Sequence, residues 1–184
     1  MKIKLMAATT GLTLFGLVMA GSAMAEPKSG HKVEINKRVD EALTKFEAMN
    51  TANKTLMGKS AGRLVFPNVT KGGVGVAAEH GSGVLQIDGK TVGYYSVNAG
   101  SVGATLGLAQ HSEIIMFMTK ESLEKFQAAK GWSIGANAGI TVVTASANGE
   151  YDSKTVQEPV LAFQFGEKGL LGDLSLEGEK ISKL

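Results

Sequence analysis

Cysteine is absent from the 184 residues, which excludes thiol catalysis, cysteine-ligated metal sites, disulfides and an acylated-cysteine anchor. Aromatic residues make up only 6%, few for the interfacial girdles of a membrane β-barrel, so that reading ranks below a water-soluble domain. Only one long apolar run occurs, Leu5 to Ala20, too short for the ~20 residues of a permanent bilayer span. An excess of one charge sign is missing too. Of the 19 basic residues, Lys2 and Lys4 precede that run. The 17 that remain match 17 acidic residues, which leaves no basic footprint for generic nucleic-acid binding.

What is there begins with an export signal. Lys2 and Lys4, the uncharged run, and Ala23-Met24-Ala25 follow the order of a secretory signal peptide with an A-x-A cleavage site. Residues 1–25 are expected to be removed, with a periplasmic mature chain starting at Glu26. The other 159 residues suit one domain.

Charge and periodicity divide this domain. Glu26 to Lys71 carries net +4 and Gly72 to Leu184 net −4. Ile35, Val39, Ala42, Leu43, Phe46 and Met49 recur at helical spacing, with Lys37, Asp40, Glu41 and Lys45 opposite and Arg38 at the border. A second helix is expected over Ala52–Lys59. Beyond Gly62 the texture becomes short strand-like runs: Leu64–Phe66 stopping at Pro67, Gly73–Glu79, Gly83–Ile87, Lys90–Val97, Gly100–Ala109, Glu113–Met118, Ile134–Ala145 and Val160–Phe165. Asp88-Gly89 predicts a two-residue hairpin turn, and Thr119 caps an inserted helix closed by Gly131. The fold class is α+β: N-terminal helices followed by a curved antiparallel sheet or partial barrel with one inserted helix.

Glycine marks one face of three strands, at Gly73 and Gly75, Gly103 and Gly107, and Gly135 and Gly139. The opposite faces carry bulky side chains such as Val74 and Val76. Close backbone approach or tight curvature accounts for such a face, as does a ligand lying on it.

Most chemical motifs dissolve on inspection. Gly73–Ala78 matches a dinucleotide fingerprint but alternates like a strand, and Gly58-Lys59-Ser60 lacks the earlier glycine of a phosphate loop. Gly131-Trp132-Ser133-Ile134-Gly135 is a formal G-x-S-x-G, yet it runs from helix to strand, the reverse of a nucleophile elbow. His31, in a flexible terminus, and His80 and His111, beside polar turn residues, read as solvent-facing and unclustered.

One family does fit. Gly62-Arg63-Leu64-Val65-Phe66-Pro67-Asn68-Val69-Thr70-Lys71-Gly72-Gly73, Gly89–Tyr95, Phe117-Met118-Thr119, Lys130-Gly131-Trp132, Phe165-Gly166 and Leu174–Gly178 resemble, in order, the SYLF domain, a lipid-binding module. The resemblance covers nearly all of residues 26–184 and implies phospholipid binding without catalysis or cofactor. It points to a membrane surface with anionic headgroups as partner and to the helix bearing Lys37, Arg38 and Lys45 as the contact. The apolar face of that helix has two possible destinations, the membrane or its own core. An envelope protein-interaction module without a lipid role, and a small hydrolase built on Ser133, stand as alternatives.

Overall fold

The computed structural model describes residues 28–129, 131–134, 139–143, 151, 155–166, 169–170 and 178–184. The expected signal-peptide segment and Glu26 lie outside them, as does much of the expected strand Ile134–Ala145. No helix among the described residues is long and apolar enough to cross a membrane.

Helix α1 spans Ser29–Met49, so His31 belongs to its first turns rather than to a loose terminus. Its apolar stripe, Ile35, Val39, Ala42, Leu43 and Phe46, is buried. Asn50 then breaks the helix in extended conformation and accepts from Ala52 N–H at 2.9 Å, starting α2 (Thr51–Lys59). The corner is fixed by fully buried Asn53, whose amide donates to Phe46 C=O at 2.7 Å.

The six glycine-cut runs from Leu64 to Met118 fuse into two very long strands, β1 (Gly62–Ile87) and β2 (Lys90–Phe117). Asp88 and Gly89, both at positive φ (50° and 73°), make the expected turn. Antiparallel pairing runs from Ile87↔Lys90 to Gly62↔Phe117. Pro67 does not end β1. It sits in a bulge between Phe66 and Val69, where its missing N–H costs no ladder bond.

Glycine explains how so long a hairpin closes on itself. A Cβ at Gly73 would lie 1.9 Å from the Val76 carbonyl oxygen, and one at Gly83 2.2 Å from that of Val65. The first marks a sharp corner beside a second bulge at Val74/Val76. The second brings the far half of β1 directly onto the near half. At these two positions glycine serves backbone approach. Around the corner the bare face turns inward, burying Ala77, while Val74 and Val76 are 78% and 64% exposed.

After β2 come α3 (Lys120–Ala128), β3 (Trp132–Ser133), β4 (Ile140–Val142), a 3-10 turn at Thr155–Gln157, β5 (Val160–Gly166), β6 (Gly169–Leu170) and β7 (Lys180–Lys183). Strand β5 pairs with the distal end of β2 and β7 with its Tyr95–Asn98 stretch, both antiparallel; β3 joins β7 and β6 joins β5. Only β4 runs parallel to its neighbour β5 among the described pairings. The result is a curled, mostly antiparallel sheet behind N-terminal helices, with α3 inserted.

Two cores flank this sheet. Helices α1 and α2 pack on Val65, Val84, Ile114, Met116 and Phe163, with Phe46 4.9 Å from Phe163 between ring centroids. Helix α3, capped by Thr119 as expected, covers Leu64, Phe66, Ile115 and Phe117 on the opposite face, where Phe126 meets Phe117 at 4.8 Å and Trp132 at 5.2 Å.

Candidate functional site

The α1 stripe settles where the apolar face goes: it is spent on the sheet, so the polar face, with Val33 near its start, meets solvent. On that face Arg38 and Lys45, seven residues and so two turns apart, line one cleft of about 380 Å³. Its opposite wall is the Pro67-Asn68 bulge of β1 with Gln110 and Ser112 of β2. The bulge is pinned there by Ser112 Oγ, which donates to Pro67 C=O at 2.8 Å. A second cleft of about 250 Å³ shares Arg38, Pro67 and Asn68 and adds His31 and His80. Lys37 lines neither cleft. It lies 3.9 Å from Glu41, while Arg38 donates to Glu34 at 2.6 Å, both as exposed one-turn pairs. Such pairs contribute about 0.3–0.5 kcal/mol, too little to hold Arg38 against a better anionic ligand.

A second polar feature was not foreseen. Glu113 shares a face of β2 with Ile115 and Phe117 and is fully buried, as is Glu179 just before β7. Around them stand Glu79 of β1, His111 of β2 and Gln164 of β5, all at least 95% buried. Lys71 Nζ reaches Glu79 at 3.6 Å, and His111 Nε2 lies 3.4 Å from the same carboxylate. The Gln164 amide lies beside Glu113, yet among the described residues no N–H or hydroxyl makes a well-formed hydrogen bond to a side-chain oxygen of Glu113 or Glu179. The two carboxyls face each other, so the hydrogen between them is a carboxyl proton. Burial, then the neighbouring carboxylates, hold both groups well above the ordinary carboxylate range. Burial, helped by the Lys71 charge, lowers His111 from 6.5 to about 4, so its imidazole is neutral at neutral pH.

His111 is thus no solvent-facing histidine. It stands between the polar residues Gln110 and Ser112 yet sits inside a strand on the inward face. His80 does face solvent, its Nδ1 2.8 Å from Asn98 Oδ1. No His, Asp and Glu grouping with metal-holding geometry occurs among the described residues. Ser133 lies in β3, half-buried and paired with Lys180; the strand-to-helix elbow that would activate it is not formed there.

Residues 98–183 match the family described as Ysc84, Las17-binding protein actin regulator. Over these residues the chain matches a Ysc84/SYLF family domain. The Ysc84 match takes in the last part of β2, α3 and every later strand, and with them His111, Glu113, Gln164 and Glu179. It begins after α1, so Lys37, Arg38 and Lys45 lie outside it. The chain is also similar to beta cell expansion factor A of Aeromonas veronii, 27% identical over 166 residues, 85% of this chain. It spans 59% of that relative's length.

Proposed function

We propose that this protein is a non-enzymatic phospholipid-binding protein of the bacterial cell envelope, exported by cleavage after Ala25 and associating with anionic headgroups on a periplasmic membrane face. Residues 26–184 act as one lipid-binding domain. One observation carries the reading: Arg38 and Lys45 converge on a bulge-walled cleft from a helix whose apolar face is already buried. Binding then works through headgroup charge and not through insertion of α1. The match to a generally non-catalytic family supports the same reading.

Co-sedimentation with anionic and zwitterionic vesicles tests it. A basic residue near an anionic surface contributes about 1 kcal/mol, so Arg38→Glu with Lys45→Glu, which removes two such contributions and adds repulsion, should weaken binding to anionic vesicles by about thirtyfold or more at low salt, and less as salt screens the surface. Lys37→Glu, outside the cleft, should change it far less. Absence of wild-type binding, or a double variant that binds as well, would overturn the proposal.

A protein-interaction module is the second reading. The exposed Val74, Val76 and Leu108 (73% exposed) favour it, since exposed apolar clusters commonly mark contact surfaces.

A further inference from the structure

Six polar or charged groups from four segments converge inside the curled sheet: Lys71 and Glu79 from β1, His111 and Glu113 from β2, Gln164 from β5, and Glu179 from the lead-in to β7. Strand β3, which completes this edge, adds no titratable side chain. Three are carboxyls and one is a cation, with the imidazole neutral. If every carboxyl ionised, the cluster would hold three negative charges against the one positive charge of Lys71, almost wholly removed from water.

The position of Glu179 gives this imbalance a structural consequence. Its backbone C=O accepts from Ile134 N–H at 2.9 Å, and Gly178 N–H donates to Ile134 C=O at 3.2 Å. Lys180 follows directly and opens β7, which pairs with β3 through Trp132↔Ile181 and Ser133↔Lys180. The β3–β7 pair is therefore tied to the Glu179 backbone, while the Glu179 side chain meets Glu113 near the end of β2. Strand β7 is only four residues long and contacts β2 from Tyr95 to Asn98, a short ladder for a sheet edge.

We propose that the Glu113–Glu179 carboxyl pair is a proton-held latch fastening the β3–β7 edge onto β2, and that loss of its proton releases this edge. In the closed state a carboxyl O–H donates to the facing carboxyl oxygen. When one proton departs to solvent, a negative charge is left beside the Glu79 carboxylate in a poorly screened interior; when the second follows, no carboxyl donor remains between the two groups and their own charges repel. Glu179 moves away from Glu113 and carries β7 and β3 with it. That movement uncovers the side of the sheet where Trp132 lies against Phe117 and Phe126. Strands β1, β2 and β5 keep their own pairing.

Trp132 is the single tryptophan of the chain and sits in the moving edge, so its fluorescence reads the latch directly. Titrating the full-length mature protein from about pH 6 to about pH 9, below the ordinary tyrosine range, should red-shift the wild-type emission. Hydrogen exchange over the same range, corrected for intrinsic rates, should show the Lys180–Lys183 amides losing protection by roughly tenfold or more while those of Val160–Gly166 keep theirs. Glu113→Gln and Glu179→Gln each place an N–H donor opposite the remaining carboxyl, so the hydrogen bond no longer depends on a proton and both responses should flatten. A flat wild-type titration overturns the latch. So does an undiminished response in either glutamine variant, or β5 losing protection together with β7. The wild-type exchange measurement decides without any variant having to fold.

Discussion

Lys71 and Glu79 belong to one strand, eight residues apart, yet Lys71 Nζ lies 3.6 Å from Glu79 Oε2. A straight strand would separate them by about 26 Å at ~3.3 Å per residue. The ion pair is possible only because β1 doubles back at Gly73 and crosses itself at Gly83, and the pair in turn spans the corner.

The corner therefore tolerates no side chain. Gly73→Ala and Gly83→Ala each push a methyl into a backbone carbonyl and should cost about 3 kcal/mol or more, by overpacking that backbone shifts alone can relieve. Gly58→Ala, in α2 with open space around it, should stabilise by about 0.5–1 kcal/mol through helix propensity. Urea denaturation of the three variants checks both signs; a Gly73→Ala protein as stable as wild type would contradict the corner.

Stability should fall as pH rises from the acid side. Glu113 and Glu179 keep their protons when folded well above 4.5, their ordinary value. From about 4.5 upward the folded state thus holds more protons than the unfolded chain, and rising pH favours unfolding. His111 acts oppositely: lowered to about 4 from 6.5, it contributes stability above 6.5 that is lost as pH falls through that window. Two carboxyls against one imidazole leave a net decline with rising pH even there, steeper above 6.5 at about 1 kcal/mol per pH unit for each unmatched proton. Urea midpoints between about pH 5 and about pH 8 measure it; a midpoint that rises across this range would refute the sign.

Asn53 joins the helices to the strand region. Its amide donates to Phe46 C=O while its carbonyl oxygen accepts from the Tyr151 hydroxyl. Asn53→Ala strands two polar groups in a buried setting and should cost about 2 kcal/mol. Asn53→Asp loses the amide donor and buries a charge, so it should be worse. Thermal melts of both variants give the order.

Ser133→Ala should leave the fold intact, because the hydroxyl sits on a short strand in a half-buried position. Neither protein should react with a fluorophosphonate probe. Labelling of wild type that vanishes in the variant would restore the hydrolase alternative.

Helix α1 was legible because five buried positions recur at the helical period, and the Asp88-Gly89 turn because its φ requirement is written in residue type. The two long strands were not. Glycine and Pro67 break apolar runs in the same way whether the chain turns or bends within a strand, so β1 and β2 read as six pieces. Strand β7 is too short and polar to show a period. Of the basic residues on α1, only Arg38 and Lys45 reach the cleft, a distinction that depends on where the Pro67 bulge falls. The buried cluster was invisible for a different reason: Glu113 and His111 look like surface residues until β2 is seen as continuous. The alternation Glu113, Ile115, Phe117 was the one available hint that an acid lay on an apolar face.

The uninterrupted β1–β2 hairpin also bears on how the chain folds. Gly62 pairs with Phe117, and forming that contact first would close a loop of more than fifty residues. Starting instead at Asp88-Gly89, every successive pair closes only a small extra loop, so the entropic cost arrives in short steps and the ladder can zip outward. The zipping front must then pass the corner at Gly73 before Gly83 can settle on Val65. The self-crossing thus forms late, and substitutions at the crossing should accelerate unfolding more than they slow folding.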